Sequence, residues 1–162
     1  MGSNRQRLRA SLLGVVVALL LAGCSSKRED PEAQLRSLIK SAETAAEQKN
    51  VGTLRDMISA QYQDDQGQDK RAIEALLRIH FLRNESLHLY AHIQSVTLPQ
   101  PDRGRAVVLV AMAGVPIAAA ENLPALRADL HRFEVDFVRE DKHWRVQRAA
   151  WRRAEPGEFL GP

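Results

Sequence analysis

Residues 132–151 read RFEVDFVREDKHWRVQRAAW, and the period of this stretch decides the fold. Phe133, Val135 and Phe137 alternate with Arg132, Glu134 and Asp136. A spacing of two becomes one apolar and one polar face only in an extended strand. Glu140-Asp141-Lys142-His143 is a polar turn, and beyond it Trp144, Val146, Arg148 and Ala150 alternate with Arg145, Gln147, Ala149 and Trp151. Two such runs joined by a short polar segment make an antiparallel hairpin. Glu134 and Asp136 oppose the apolar set, so they belong on the outer face, paired across the hairpin with Arg145 and Gln147. By the same parity Trp144 packs inside, while Trp151 points outward beside Arg145 and Arg153.

Upstream of the hairpin the period is also two. Leu87, Leu89, Ala91 and Ile93 alternate with His88, Tyr90 and His92. Pro99, Pro101 and Gly104 mark a turn, and Ala106 to Ala113 is apolar on both faces, as a central strand is. His88 and His92 would stand about 13 Å apart on a strand rising about 3.3 Å per residue. One metal ion cannot bridge them with bonds of about 2 Å, so no metal site is expected. Residues 114–127, interrupted by Pro116 and Pro124, read as an irregular lid, rim or partner loop.

Before the strands the period is helical. Asp30-Pro31-Glu32 is a start signal: a capping carboxylate, proline at the first helical position, then an acid in the first turn. Leu35, Leu38, Ile39, Ala42, Ala45 and Ala46 form its stripe, and Lys49-Asn50 ends it. Asn50 caps a short second helix with Leu54, Met57 and Ile58 inward. Asp69 caps a third, with Ile73, Leu76, Leu77, His80 and Phe81 as its stripe and Asn84 at its end. Ala154 to Pro162 reads as a loose tail.

The N-terminus carries a different message. Arg5, Arg7 and Arg9 precede an uncharged apolar run, Ser11 to Ala22, which is shorter than the roughly 20 residues a membrane span needs and has the layout of a signal peptide. It ends in Leu21-Ala22-Gly23-Cys24, with the only cysteine of the chain. This tetrapeptide resembles the lipobox of bacterial lipoproteins at all four positions. The resemblance implies cleavage between Gly23 and Cys24, a diacylglycerol thioether on Cys24 and acylation of the new amine. Several acyl chains hold firmly, since each buried CH₂ contributes about 0.8 kcal/mol. Ser25, rather than an aspartate, follows the cysteine, and by resemblance to Gram-negative lipoproteins this implies the periplasmic face of the outer membrane. Residues 24–29 are then a lipidated tether, residues 30–153 one domain and residues 154–162 a tail.

Three of the 23 basic residues precede residue 24 and none of the 20 acids does, so 20 bases face 20 acids after cleavage. That balance removes the electrostatic case for nucleic acid. With Cys24 acylated no thiol remains for a disulfide or a cysteine metal site.

Three helices followed by a four-stranded antiparallel meander, an α+β order, is similar to the NTF2-like superfamily, also called cystatin-like or SnoaL-like cones. The segment Leu54 to Gly67 and the ending Phe137 to Trp151 carry the likeness, which spans roughly residues 31–152. It implies a curved sheet wrapped around the first helix, with a conical pocket between helices and concave face. Within the pocket the candidates are Tyr62, His80, His131, Phe133 and Phe137. Glu134, Asp136, Arg145 and Trp151 are candidates for a partner surface, including a homodimer through the sheet. The expected function is that of a membrane-anchored accessory module, binding a small apolar ligand or an envelope protein without cofactor or catalysis. Its cone would be lined by apolar side chains, with no buried carboxylate or histidine pair. Two alternatives stand beside it. One is an isomerase or hydrolase in which Tyr62, His80 and His131 converge. The other is an assembly factor of an envelope or secretion complex, with residues 114–127 and Trp151 forming the contact.

Overall fold

Alternation on four strands demands a cover for their apolar face, and the chain supplies it from the helices that precede them. A computed structural model describes residues 30–160; the expected signal peptide, the Gly23–Cys24 cleavage site and the expected tether lie outside the described residues. Helix α1 spans Pro31–Glu47, α2 Val51–Asp56 and α3 Lys70–Arg83. Strands β1 His88–Gln100, β2 Arg103–Ala113, β3 Asp129–Glu140 and β4 His143–Arg153 form one antiparallel sheet in the order β1-β2-β3-β4. A short helix α4, Leu123–Leu126, lies between β2 and β3, and a final turn of helix α5, Pro156–Phe159, follows β4.

The helix starts follow from their caps. Asp30, Asn50 and Asp69 each accept a backbone N–H of the first turn through the side chain, at 3.0, 3.0 and 2.8 Å. Lys49 turns left-handed at φ 53° to end α1, and its Nζ donates to the carbonyls of Asn84 and Glu85 at 2.5 and 2.8 Å. One link thus joins the end of α1 to the end of α3. Asp64 folds the loop before α3 by accepting the N–H groups of Gln66 and Gln68 at 2.9 and 2.8 Å, with Gly67 at φ 75°.

Along the sheet, Leu89, Ala91 and Ile93 share the concave face with Met112, Val110 and Val108 of β2. Phe133, Val135 and Phe137 continue that face across β3. The narrow end of the cone is tightly filled. There Leu35 of α1, fully buried, packs with Ala106, Phe137 and Trp144. A Cβ on Gly104 would stand 2.5 Å from Leu35 Cδ1, so a larger residue there would force the Leu35 side chain to shift.

Four expectations are corrected. Pro99 lies in β1 and Gly104 in β2; the turn is confined to residues 101–102, and β1 tolerates Pro99 because it is an edge strand. In β4, Asp136 pairs with Arg148 but Phe137 with Val146, so Gln147 is an extra bulged residue. The bulge reverses parity beyond it: Arg148 turns to the convex side, whereas Ala149 and Trp151 join Trp144 and Val146 on the concave side. Trp151 therefore does not point outward; it stands opposite Phe133, ring centroids 6.1 Å apart. Residues 154–160 are not loose. Ala154 and Phe159 are buried on the convex face against Leu109, Ala111 and Leu123. Residues 114–127 contribute Ile117, Ala120 and Leu123 to the same cluster, so they cover the sheet's back rather than the pocket.

Both edges of the sheet are occupied. The β4 edge exchanges hydrogen bonds with the chain after α2: Val146 N–H to Met57 at 2.8 Å, Ser59 N–H to Val146 at 2.9 Å. On the β1 edge, Glu47 and Glu43 of α1 accept the N–H groups of Leu89 and Ala91 at 2.9 and 3.3 Å. Unpaired strand edges are templates for aggregation, and these contacts engage β4 at Val146 and the first part of β1 at Leu89 and Ala91.

Candidate functional site

Toward the wide end, helices and sheet part and leave a cavity of about 320 Å³. Its floor is Leu89, Val108, Val110, Met112, Phe133, Val135 and Phe137 of the sheet; its walls are α1 and α3. Ala42 and Ala46 of α1 make the room, because a short side chain at each inward turn leaves the space a leucine would fill. Two polar residues, Glu43 and His80, reach the lining. The volume falls near the lower end of the range of about 300–1,000 Å³ typical of ligand pockets, which are mostly apolar with few polar groups.

The candidates divide between places. Phe133 and Phe137 line the cavity and His80 stands at its exposed mouth, rather than in a packed core. Tyr62 does not reach it. Its phenol is buried beside β4, where the backbone of Ala149 donates to it, and burial with Asp64 nearby pushes its pKa up to about 12. Tyr62, His80 and His131 therefore do not converge. His131 shares the concave face with Phe133, ring centroids 6.2 Å apart, just beyond the cavity floor. Its Nδ1 is buried without a hydrogen-bond partner among the described residues, and burial holds its pKa below the ordinary histidine value. Asp129 opposes that shift, while Arg153 and His80 reinforce it.

On the convex face Asp136 pairs with Arg105 at 2.7 Å and Arg148 at 3.5 Å, and Arg148 also binds Asp65. Glu134 is exposed, with Arg132 at 3.7 Å. Neither acid meets the partner parity suggested. Arg145 instead donates to Asp56 O at 2.6 Å and faces Glu140 at 3.4 Å, and Gln147 accepts from Arg103. Residues 114–127 and Trp151 lie on opposite faces of the sheet, so they cannot form one contact.

Glu43 is the residue that the sequence reading missed. Its side chain is only 9% exposed, contrary to a cavity free of carboxylates. It sits at the edge of the α1 stripe, where sequence does not distinguish a glutamate in water from one reaching a strand. Both oxygens are engaged, Oε1 by Ala91 N–H and Oε2 by Lys40 Nζ at 2.7 Å. This makes Glu43 a clip between helix and strand, its oxygens turned to those partners rather than to the apolar cavity.

This architecture is the α+β cone of NTF2-like, cystatin-like proteins. A cystatin-like domain of unknown function from Nostoc punctiforme superposes with a TM-score of 0.59 at 14% identity, over 80% of this chain and 82% of that one. An NTF-2 like protein of unknown function from Shewanella oneidensis gives 0.59 at 11% identity, over 75% and 98%. A putative scytalone dehydratase from Novosphingobium aromaticivorans gives 0.59 at 10%, over 76% and 83%. At these identities the likeness defines the fold alone. No protein-family model and no curated protein matches the chain.

Proposed function

We propose that this chain is a lipid-anchored binding module that holds a small apolar ligand in its cone, without catalysis, at the periplasmic face of the outer membrane. The observation that carries the binding reading is the cavity: about 320 Å³ of unfilled space with aliphatic and aromatic walls. Unfilled apolar volume forfeits dispersion contacts, and larger side chains at Ala42 and Ala46 would reduce it. The anchor rests on Leu21-Ala22-Gly23-Cys24 behind a basic and apolar N-terminus.

Two measurements test the two halves separately. Mass spectrometry of the protein extracted from its membranes should find the chain starting at Cys24 with a thioether-linked diacylglycerol; an unmodified thiol rejects the anchor. An alkyl diazirine probe, photolysed in the same membranes, should label the cavity floor around Val110 and Phe133. Ala42→Phe should abolish that labelling. Label confined to the outer surface rejects the ligand reading.

A second reading, a small-molecule isomerase or hydrolase, is favoured by one observation: the Nδ1 of His131 is buried beside an apolar cavity with no hydrogen-bond partner among the described residues, and burial lowers its pKa. That arrangement suits proton transfer. It requires turnover that His131→Gln removes, whereas a passive binder retains probe labelling in that variant.

A further inference from the structure

Helix α3 is apolar on two sides. Leu77, His80 and Phe81 line the cavity. On the opposite side Leu76, Ile79 and Leu82 are 44%, 46% and 86% exposed. Their spacing of three, at 3.6 residues per turn, puts them on one outward stripe. Arginines flank it: Arg71 and Arg78 toward one side, Arg83 toward the other. Arg78 is paired with Glu74 within the helix, at 2.5 Å. Arg71 and Arg83 are exposed and have no ion-pair partner among the described residues. Glu74 is the only acid between Lys70 and Arg83.

We propose that this outward face of α3 rests on an anionic lipid surface, with Leu76, Ile79 and Leu82 at the boundary of headgroups and acyl chains and the arginines at the phosphates. An amphipathic helix with basic flanks and bulky apolar residues on the exposed face binds a bilayer in this way. Arginines near an anionic leaflet add to its attraction, so two free arginines and a third paired one favour a charged over a neutral surface. The charge pattern also selects among occupants. A second copy of this chain would set arginines against arginines across the stripe. The convex face differs, because there arginines are matched by Asp136, Asp65 and Glu158. The inference goes beyond ligand binding: it concerns the outer side of the helix whose inner side walls the cavity, and it holds whether or not the cavity is filled.

The test uses the full chain reconstituted into phosphatidylcholine vesicles with or without phosphatidylglycerol. Whatever holds residues 1–24 to the vesicle, the readout is at α3. A nitrobenzoxadiazole probe is attached at Leu82→Cys, and at Glu134→Cys on the convex face as reference. The unsubstituted chain, treated in parallel, supplies the background from Cys24. The residue-82 probe should shift to the blue and be quenched by spin-labelled lipid in phosphatidylglycerol vesicles, and the residue-134 probe should not. Arg71→Glu with Arg83→Glu should lose that quenching; both positions are exposed, so the fold is retained. Equal signals at 82 and 134, or quenching that ignores both lipid charge and the arginine reversals, overturns the proposal. So does a residue-82 probe that stays in water while a photocrosslinker at 82 captures an acidic envelope protein or a second copy.

Discussion

The two faces of strand β2 carry nearly the same chemistry and meet opposite fates. Toward the helices it presents Val108, Val110 and Met112; toward the back, Val107, Leu109 and Ala111. At the back Leu109 and Ala111 are wholly buried, because Leu123, Ala154 and Phe159 return to cover them. At the front Val110 and Met112 face a cavity. Burial alone would favour filling both sides, since each buried aliphatic side chain is worth about 1.5–3 kcal/mol. The chain spends its own loop and tail on the back and leaves the front open. Conserving space on one face only is what separates a site from a packing core.

The largest expected effect breaks the closed face. Phe159→Ala removes the aromatic plug of α5, and such a buried truncation costs about 3–5 kcal/mol. Urea unfolding should show the loss. A change under about 1 kcal/mol would mean that the back of the sheet stands without its tail.

A matched pair sharpens the comparison further. Ala111→Leu inserts bulk into the filled back and should destabilise by about 1–3 kcal/mol. Ala42→Leu adds the same atoms to the cavity wall and should stabilise by about 0.5–2 kcal/mol, as cavity filling does. Opposite signs in thermal unfolding are the expected result. Two losses of similar size would show that the space before Val110 is not free.

Acid should also separate the two faces. Arg152, together with the backbone N–H of Glu155, holds the Glu158 carboxyl down at about 2, well below the ordinary carboxylate value. A depressed acid stabilises the fold above its unfolded pKa and loses that contribution as pH falls toward the folded one. Between about pH 4.5 and 2 the α5 cap should therefore loosen first. Hydrogen exchange at Glu158 and Leu160, whose N–H groups bond to the carbonyls of Glu155 and Gly157, should speed up before exchange at Val108 in the sheet, and Arg152→Ala should move that onset to higher pH.

The parts of this molecule legible in sequence are those decided within a few residues. Asp30, Asn50 and Asp69 cap where their side chains and the following helical period said they would. The hairpin, the two-sided β2 and the helix-then-strand order follow from period alone. Parity failed at Gln147, and there the sign was present: Trp144 and Val146 are followed by two polar residues, then Ala149 and Trp151. An alternation that skips one step marks a bulge, and every assignment beyond it reverses. The tail was unreadable for another reason. Phe159 is one aromatic among prolines, glycines and acids, and nothing local says that it returns to Leu109. The two-sided apolarity of β2 did say that something must cover the back. For the site, Phe133, Phe137 and His80 were legible as inward residues, whereas Glu43 was not, since its role depends on a strand edge 48 residues away.

The smallest effect concerns His131, whose placement on the open face has a consequence in its titration. Burial keeps its pKa below the ordinary histidine value, so the folded chain holds it neutral. As pH falls through about 6.5 the unfolded chain takes up a proton that the folded chain refuses. Stability must then decrease with falling pH, and level off below the depressed folded pKa. Asp129 works against this trend and Arg153 and His80 with it. His131→Leu removes the titration without breaking a hydrogen bond at Nδ1, which has no partner among the described residues. Urea midpoints at pH 7.5 and 5.5 should fall further for the unsubstituted chain than for the variant. Parallel losses in both would assign the acid sensitivity to the charged convex face and leave the mouth of the cavity electrostatically inert.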